Sequence, residues 1–225
     1  MQSYALEMAI TSLRLNKPYN MGSLYWQLND VWPVLSWSTV DYYGTYKASH
    51  YKVRHVYEQL IMHTLHDKVN GDYITYIVND YNKTFNCHCT VSIITFAGEA
   101  TKVKHVVEKS VKPFERVLIH KFNKTEYANY THTGFIRNEL FTADNVVSNH
   151  NYFFVPMKAR TNANPELTYS FQGKKIIIST KKIASYVWIF RKVNDNYYPL
   201  NLEDNFFTLV PGETRTIDIG NTPHG

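Results

Sequence analysis

Near residue 62 the apolar periodicity changes from the 3.6-residue repeat of a helix to the two-residue alternation of a strand, and this switch divides the chain into parts that must fold differently. Ahead of it, Leu6, Ala9, Ile10 and Leu13 fall at i, i+3, i+4 and i+7, which predicts a helix over residues 2–15 that Pro18 ends. A short apolar run follows, Ser23-Leu24-Tyr25-Trp26-Gln27-Leu28, bounded by turn residues as expected of a buried parallel strand. A loop rich in Trp, Pro and Ser occupies residues 29–44. Residues 45–60 then return to helical spacing through Val53, Val56, Tyr57 and Leu60, with Thr45 as the expected N-cap. Helix, buried strand, long loop and helix make one repeat unit of an α/β barrel. A lone strand neither closes a barrel nor satisfies a sheet edge, so this unit reads as the remnant of a sequence truncated at its N-terminus.

Beyond the switch, residues 72–78, 85–96 and 116–120 alternate as strands, with turns expected at 79–83 and 97–99. Together they predict an antiparallel sandwich. Residues 123–151 read as less regular, ahead of a strand at 152–155, and Asn162-Ala163-Asn164-Pro165 reads as a boundary or a long turn. Strand signals resume at 167–171, 175–179, 186–190 and 214–219, separated by turn residues that include Gly173 and Pro211-Gly212, and suggest a second sandwich.

Composition removes several classes of function. The 24 Lys and Arg against 19 Asp and Glu give a net charge of +5, but charged residues are only 19% of the chain. The densest basic stretch, residues 102–121, is interrupted by Glu108, Glu115 and β-branched residues and reads as solvated strand faces, so no nucleic-acid partner is expected. No run approaches 18 apolar residues, and no membrane partner is expected either. Cys87 and Cys89 share one strand face too closely for a mutual disulfide. With His88 they offer too few ligands, at the wrong spacing, for a zinc site. His50, His55, His63 and His66 lack helical ligand spacing as a set, so no metal and no cofactor is expected. The triplets beginning at Asn82, Asn123 and Asn129 are glycosylation sequons usable in a eukaryotic secretory pathway, a weak signal in an Asn-rich chain.

Three of the four tryptophans fall between positions 26 and 37, beside polar side chains. Such a cluster can make a flat apolar wall for a sugar ring, with Gln27, Asn29 and Asp30 supplying hydrogen bonds to its hydroxyls. It would equally plug the end of a barrel and pin the loop. Asp30 reads as a loop-fixing or sugar-contacting acceptor, Asp41 as a turn residue, Glu58 as solvated, and Asp204 as remote from the cluster.

The run Leu24-Tyr25-Trp26-Gln27-Leu28-Asn29-Asp30-Val31-Trp32-Pro33, continued by Ser36-Trp37-Ser38, Asp41-Tyr42-Tyr43-Gly44 and Lys47-Ala48-Ser49-His50-Tyr51, resembles the eighth barrel strand, loop and helix of β-mannosidases of glycoside hydrolase family 2. Residues 16–22 fit the same pattern, and residues 204–213 resemble the closing strands of that family's last immunoglobulin-like domain; Thr45-Tyr46 is a minor departure. The resemblance implies the last helix, strand and helix of a (β/α)8 barrel at 1–62, an immunoglobulin-like or carbohydrate-binding-module-like β-sandwich at 63–160 and a C-terminal immunoglobulin-like β-domain at 161–225. It implies a retaining exo-hydrolase that releases terminal β-D-mannose. Both catalytic glutamates would lie on earlier barrel strands with no counterpart here, so this chain is expected to be inactive alone. Trp26, Gln27, Asp30 and Trp32 would bind substrate, and the Trp26–Gln27 peptide would be cis. The expected partners are a β-mannoside oligosaccharide, the remainder of the barrel and a possible second copy of the chain. Bacterial members of the family are periplasmic or cytoplasmic and animal members lysosomal, which leaves the compartment open. Two other readings stand beside this one: another family 2 exo-glycosidase acting on glucosaminides, galactosides or glucuronides, and a non-catalytic carbohydrate-binding sandwich.

Overall fold

The computed structural model describes residues 1–143, 147–161 and 164–220. Its elements in chain order are helices α1 (Gln2–Arg14) and α2 (Ala48–Val56), strands β1 (Leu60–Asp67), β2 (Asp72–Asn79), β3 (Phe85–Thr95), β4 (Ala100–Val111) and β5 (Arg116–Phe122), and the one-turn helix α3 (Lys124–Tyr127). There follow β6 (Gly134–Thr142), β7 (Val147–Phe153), β8 (Thr168–Gln172), β9 (Lys175–Ser179), β10 (Ala184–Val187), β11 (Phe190–Val193), β12 (Asn196–Pro199), β13 (Phe207–Leu209) and β14 (Thr214–Asp218). They divide into two compact units, one gathering residues 1–9, 24–56 and 164–220, the other residues 10–23 and 57–161.

The second unit is an antiparallel sandwich of a three-stranded sheet, β1-β2-β5, and a four-stranded sheet, β4-β3-β6-β7. In β3 the alternation read from the sequence is realised: Cys87, Cys89 and Val91 point inward while Asn86 and His88 face solvent. Buried polar contacts tie the two sheets together. Thr64 on β1 exchanges a hydroxyl hydrogen bond with Thr75 at 2.8 Å and accepts one from Asn138 of β6 at 2.9 Å. At one end of the unit Leu15, Ile61 and Val78 form a small core. Beside it Arg14 and Lys17, both nearly fully buried, pair with Asp80, the Arg14 contact at 2.7 Å. Burial pushes the Arg14 guanidinium down to about 10, against the opposing pull of Tyr57 and Glu58.

The β-part of the first unit consists of three small antiparallel sheets, β14-β9-β8, β10-β13 and β11-β12. Ile176, Ile178, Ala184, Leu202, Phe207 and Leu209 lie within its core. The β8–β9 hairpin turns at Gly173, whose φ of 58° a side chain would resist. The segment 200–205 of this part is stitched to the helix and loop ahead of it. Tyr51 donates from its hydroxyl to the Leu200 carbonyl at 3.3 Å and accepts from the Leu202 amide at 3.2 Å. Asn201 accepts from the Tyr46 amide at 2.9 Å and donates to the Gly44 carbonyl at 2.7 Å, Arg54 donates to the Glu203 carbonyl, and His55 meets Asp204 at 3.0 Å.

Several expectations need correction. The stretch 23–28 forms no strand; its neighbourhood holds only an isolated parallel bridge, Asn29 to Val40, and Leu24 is fully exposed. A parallel strand needs hydrogen-bonded neighbours along its edges, and here the backbone bonds to Thr39 and Val40 come from the Gln27 and Leu28 carbonyls at the very end of the stretch. Helix α2 starts three residues after the expected N-cap Thr45 and ends at Val56, because Leu60 already pairs with Asn79 as the start of β1. In α1 the buried positions are Ser3, Glu7, Ile10, Thr11 and Arg14, so of the apolar stripe Ala9 and Leu13 lie outward, Leu13 40% exposed. Residues 123–151, expected to be irregular, hold α3, β6 and most of β7. The single strand expected at 186–190 is divided between β10 and β11. Of the expected boundary at 162–165, Asn162 and Ala163 lie outside the described residues.

Candidate functional site

The Trp-rich loop is organised from inside by short polar contacts. Backbone amides of Thr39 and Val40 donate to the Leu28 carbonyl at 3.0 and 2.8 Å, and the Asp30 amide donates to the Val40 carbonyl at 3.0 Å, so two extended stretches lie side by side. Ser38 and Thr39 are fully buried between them. The Asp30 carboxylate, 6% exposed, accepts from the Ser36 hydroxyl and pairs with Lys47 at 3.3 Å; Lys47 also donates to the Ser38 hydroxyl at 2.8 Å. The Ser36 hydrogen bond, outweighing burial and helped by Ser38 and Lys47, holds the Asp30 carboxyl below the ordinary carboxylate range. Asp30 is therefore a stable anion at neutral pH, held inside the loop. Asp41 caps the next turn, accepting from the amides of Tyr43 and Thr45 at 2.9 and 2.8 Å, while Gly44 takes a φ of 81°.

Around this polar centre the aromatic side chains face outward. Trp26 is 78% exposed and Trp32 64%, and Val31, Leu35, Trp37 and Tyr43 are exposed as well. The peptide between Trp26 and Gln27 is cis, as the resemblance implied. Gln27 is half-buried and donates to the Asn29 carbonyl at 2.7 Å, and Asn29 donates to the Asp30 carbonyl at 3.2 Å. Of the four residues expected to bind substrate, Gln27 and Asp30 are thus linked through Asn29, and Trp26 and Trp32 present bare faces. A cleft of about 560 Å³ is lined by Gln2, Val34, Leu35, Ser36, Trp37, Asp41 and Lys47. None of the four expected residues lines it. Lys47, which joins Asp30 to the cleft wall, is the participant that reading along the chain missed; its place inside the family-like run 47–51 was the available signal.

Elsewhere the Cys87 and Cys89 thiols are buried and free, pushed up by burial to about 11 and 12, which leaves them neutral. One group of three side chains able to ligate a metal converges among the described residues, His105, His120 and Glu126 in the sandwich.

Comparison with known proteins places these features. Residues 71–159 match the family described as the Mannosidase Ig/CBM-like domain, and residues 159–222 match a mannosidase Ig-fold domain. The β-mannosidase of Bos taurus is 29% identical over 218 residues, covering 89% of this chain and 23% of the relative, and β-mannosidase A of Aspergillus flavus is 24% identical over 236 residues, covering 88% and 23%. The chain therefore spans about a quarter of the length of the curated relatives it matches. The crystal structure of the β-D-mannosidase from Dictyoglomus thermophilum superposes with a TM-score of 0.81 at 27% identity, covering 98% of this chain and 27% of that one. With two consecutive mannosidase domain models matched and relatives aligning along nearly its whole length, the chain is similar to the immunoglobulin-like C-terminal part of the β-mannosidases of glycoside hydrolase family 2.

Proposed function

We propose that this chain is the C-terminal part of a retaining exo-β-mannosidase that hydrolyses terminal non-reducing β-D-mannose from mannosides and oligosaccharides. In this reading residues 1–62 complete a (β/α)8 barrel, 63–160 and 161–225 form two immunoglobulin-like domains behind it, and both catalytic glutamates come from the remainder of the barrel. The carrying observation is the loop itself: a row of bare aromatic faces on a framework of buried hydrogen bonds, among them Trp26 at 78% exposure. An apolar surface of this kind needs a partner. The exposed Ala9 and Leu13 of α1 and the exposed Leu24 and Trp26 call for the same one, neighbouring barrel strands and helices. Trp26 and Trp32 then stack on the sugar ring, Gln27 donates to a hydroxyl, and Asp30 fixes the loop from within. The chemistry needs two carboxylates about 5 Å apart, one acting as nucleophile and the other as general acid and base.

The test uses the full reading frame of the parent. Expressed whole, it should hydrolyse nitrophenyl β-mannoside faster than the corresponding glucosaminide, galactoside or glucuronide, and the 225-residue chain alone should hydrolyse none of them. Release of mannose by this chain alone would sink the proposal, and preference for another glycoside would move the parent to a different specificity.

A further inference from the structure

The cluster at the edge of the sandwich has no part in sugar chemistry and has the composition of a metal site. His105 lies on β4, the edge strand of the four-stranded sheet, and His120 on β5, the edge strand of the three-stranded sheet. Glu126 follows on α3, where its Oε2 accepts the Asn123 amide at 2.9 Å as half of a capping box. That bond aims the other oxygen, Oε1, at both histidines, 3.2 Å from His105 Nε2 and 3.3 Å from His120 Nε2. All three ligand atoms lie within 4.8 Å of one another.

We propose that His105 Nε2, His120 Nε2 and Glu126 Oε1 bind one divalent transition-metal ion of the zinc type, with water in the fourth position, so that the ion clasps the edge strands of the two sheets together. The nitrogen–oxygen separations match the edge of a zinc tetrahedron, which bonds of 2.0–2.2 Å make about 3.3–3.4 Å long. Two imidazoles and one carboxylate suit zinc, cobalt or nickel far better than magnesium or calcium. Side-chain exposures of 35%, 20% and 22% leave the ion a route from solvent and room for its water. Phe122, fully buried with its ring edge-on to His120 at 4.5 Å, gives the site an apolar floor. The two imidazoles stack at 3.7 Å with 21° between their planes, so ligation requires them to swing apart about their side-chain bonds as the lone pairs converge on the ion. Burial, and next the neighbouring His105, holds His120 below the ordinary imidazole range, which keeps it neutral and able to ligate near pH 7.

The experiment uses the untagged 225-residue chain after chelation, titrated with Zn²⁺ by calorimetry and with Co²⁺ by visible absorption. The expected result is one equivalent bound, the d–d spectrum of four-coordinate Co²⁺, and a melting temperature raised by about 5 °C at saturating Zn²⁺. His105→Ala and His120→Ala should each weaken binding about 100-fold, and Glu126→Gln, which can still cap the helix, about tenfold or more. His88→Ala, an exposed histidine outside the cluster, should change nothing. Should either histidine variant lose its native circular dichroism, Glu126→Gln and a fall of at least about tenfold in wild-type affinity between pH 7 and pH 5.5 carry the test instead. No uptake of Zn²⁺ or Co²⁺ up to about 100 μM, or uptake that survives both the His105→Ala/His120→Ala pair and Glu126→Gln, would overturn the assignment.

Discussion

Asp80 pairs with two nearly buried cations, Arg14 and Lys17, and its neutralisation gives a sharp test of the sandwich unit. The Asp80→Asn side chain keeps the size and removes the charge that faces Arg14 at 2.7 Å and Lys17. A hydrogen bond to a charged group contributes about 1.5–3 kcal/mol, and two such bonds would sum to about 3–6 kcal/mol. Asp80 itself remains 31% exposed, so water makes good part of the loss. The expected cost is about 3 kcal/mol, within the range for stranding a buried charge. Urea unfolding followed by far-UV circular dichroism reads this as an earlier loss of sheet signal. All four tryptophans, at 26, 32, 37 and 188, belong to the other unit, so their fluorescence supplies an internal reference in the same titration. The triple variant Arg14→Met/Lys17→Met/Asp80→Leu, which removes these three charges together, should be more stable than Asp80→Asn. A loss below about 1 kcal/mol for the single variant, or a triple variant less stable than the single, would refute the reasoning.

Other expectations follow from the same contacts. Leu209→Ala, at a fully buried position in the C-terminal core, should cost about 2–5 kcal/mol, read from the shift in the tryptophan transition. Burial alone would raise the Asp204 carboxyl, but the His55 hydrogen bond and charge and the Arg215 charge outweigh it and leave it below its usual range. Its stabilisation is therefore present above the unfolded value near 4 and fades as pH falls through the folded one; Asp204→Asn should be less stable at pH 7 and show a flatter acid limb in a pH series of melting temperatures. With thiols pushed up to about 11 and 12, Cys87 and Cys89 should resist a thiol reagent at pH 8 in the native chain and both react in denaturant. A Cβ at Gly134 would lie 2.9 Å from the Ile94 carbonyl oxygen, so Gly134→Ala should lower the melting temperature of the sandwich.

The strands most legible in the sequence include those with one wet face. In β9, β14 and the first half of β3 inward and outward residues alternate, and the hydrophobic pattern records it. β6 opens with five buried residues in succession, Arg137 and Asn138 among them, so polar side chains whose partners lie on other strands, Asn151 of β7 and Thr64 of β1, mask its character. The stretch 23–28 was read as a strand because its composition is that of one, yet strand geometry belongs to a pair and not to a segment. Of the candidate site, the Trp-rich run was visible because it is continuous, and the inward turn of Asp30 was not, since it depends on Lys47 meeting it from 17 residues away. The histidine cluster was wholly hidden. Its ligands come from two sheets and a one-turn helix, and no local spacing rule joins them.

The hydrogen bonds between Tyr51, His55 and residues 200–205 also impose an order of events during synthesis. The partners of Tyr51 and His55 lie 149 to 151 positions further along the chain. At ribosomal speeds of about 5–20 residues per second, the tryptophan loop and α2 wait about 7–30 s before the braces that fix them exist. During that wait the loop backbone at residues 44 and 46 and the Tyr51 and His55 side chains lack these partners. A stop codon ahead of residue 200 would withhold them permanently, even in a product whose sandwich had already folded.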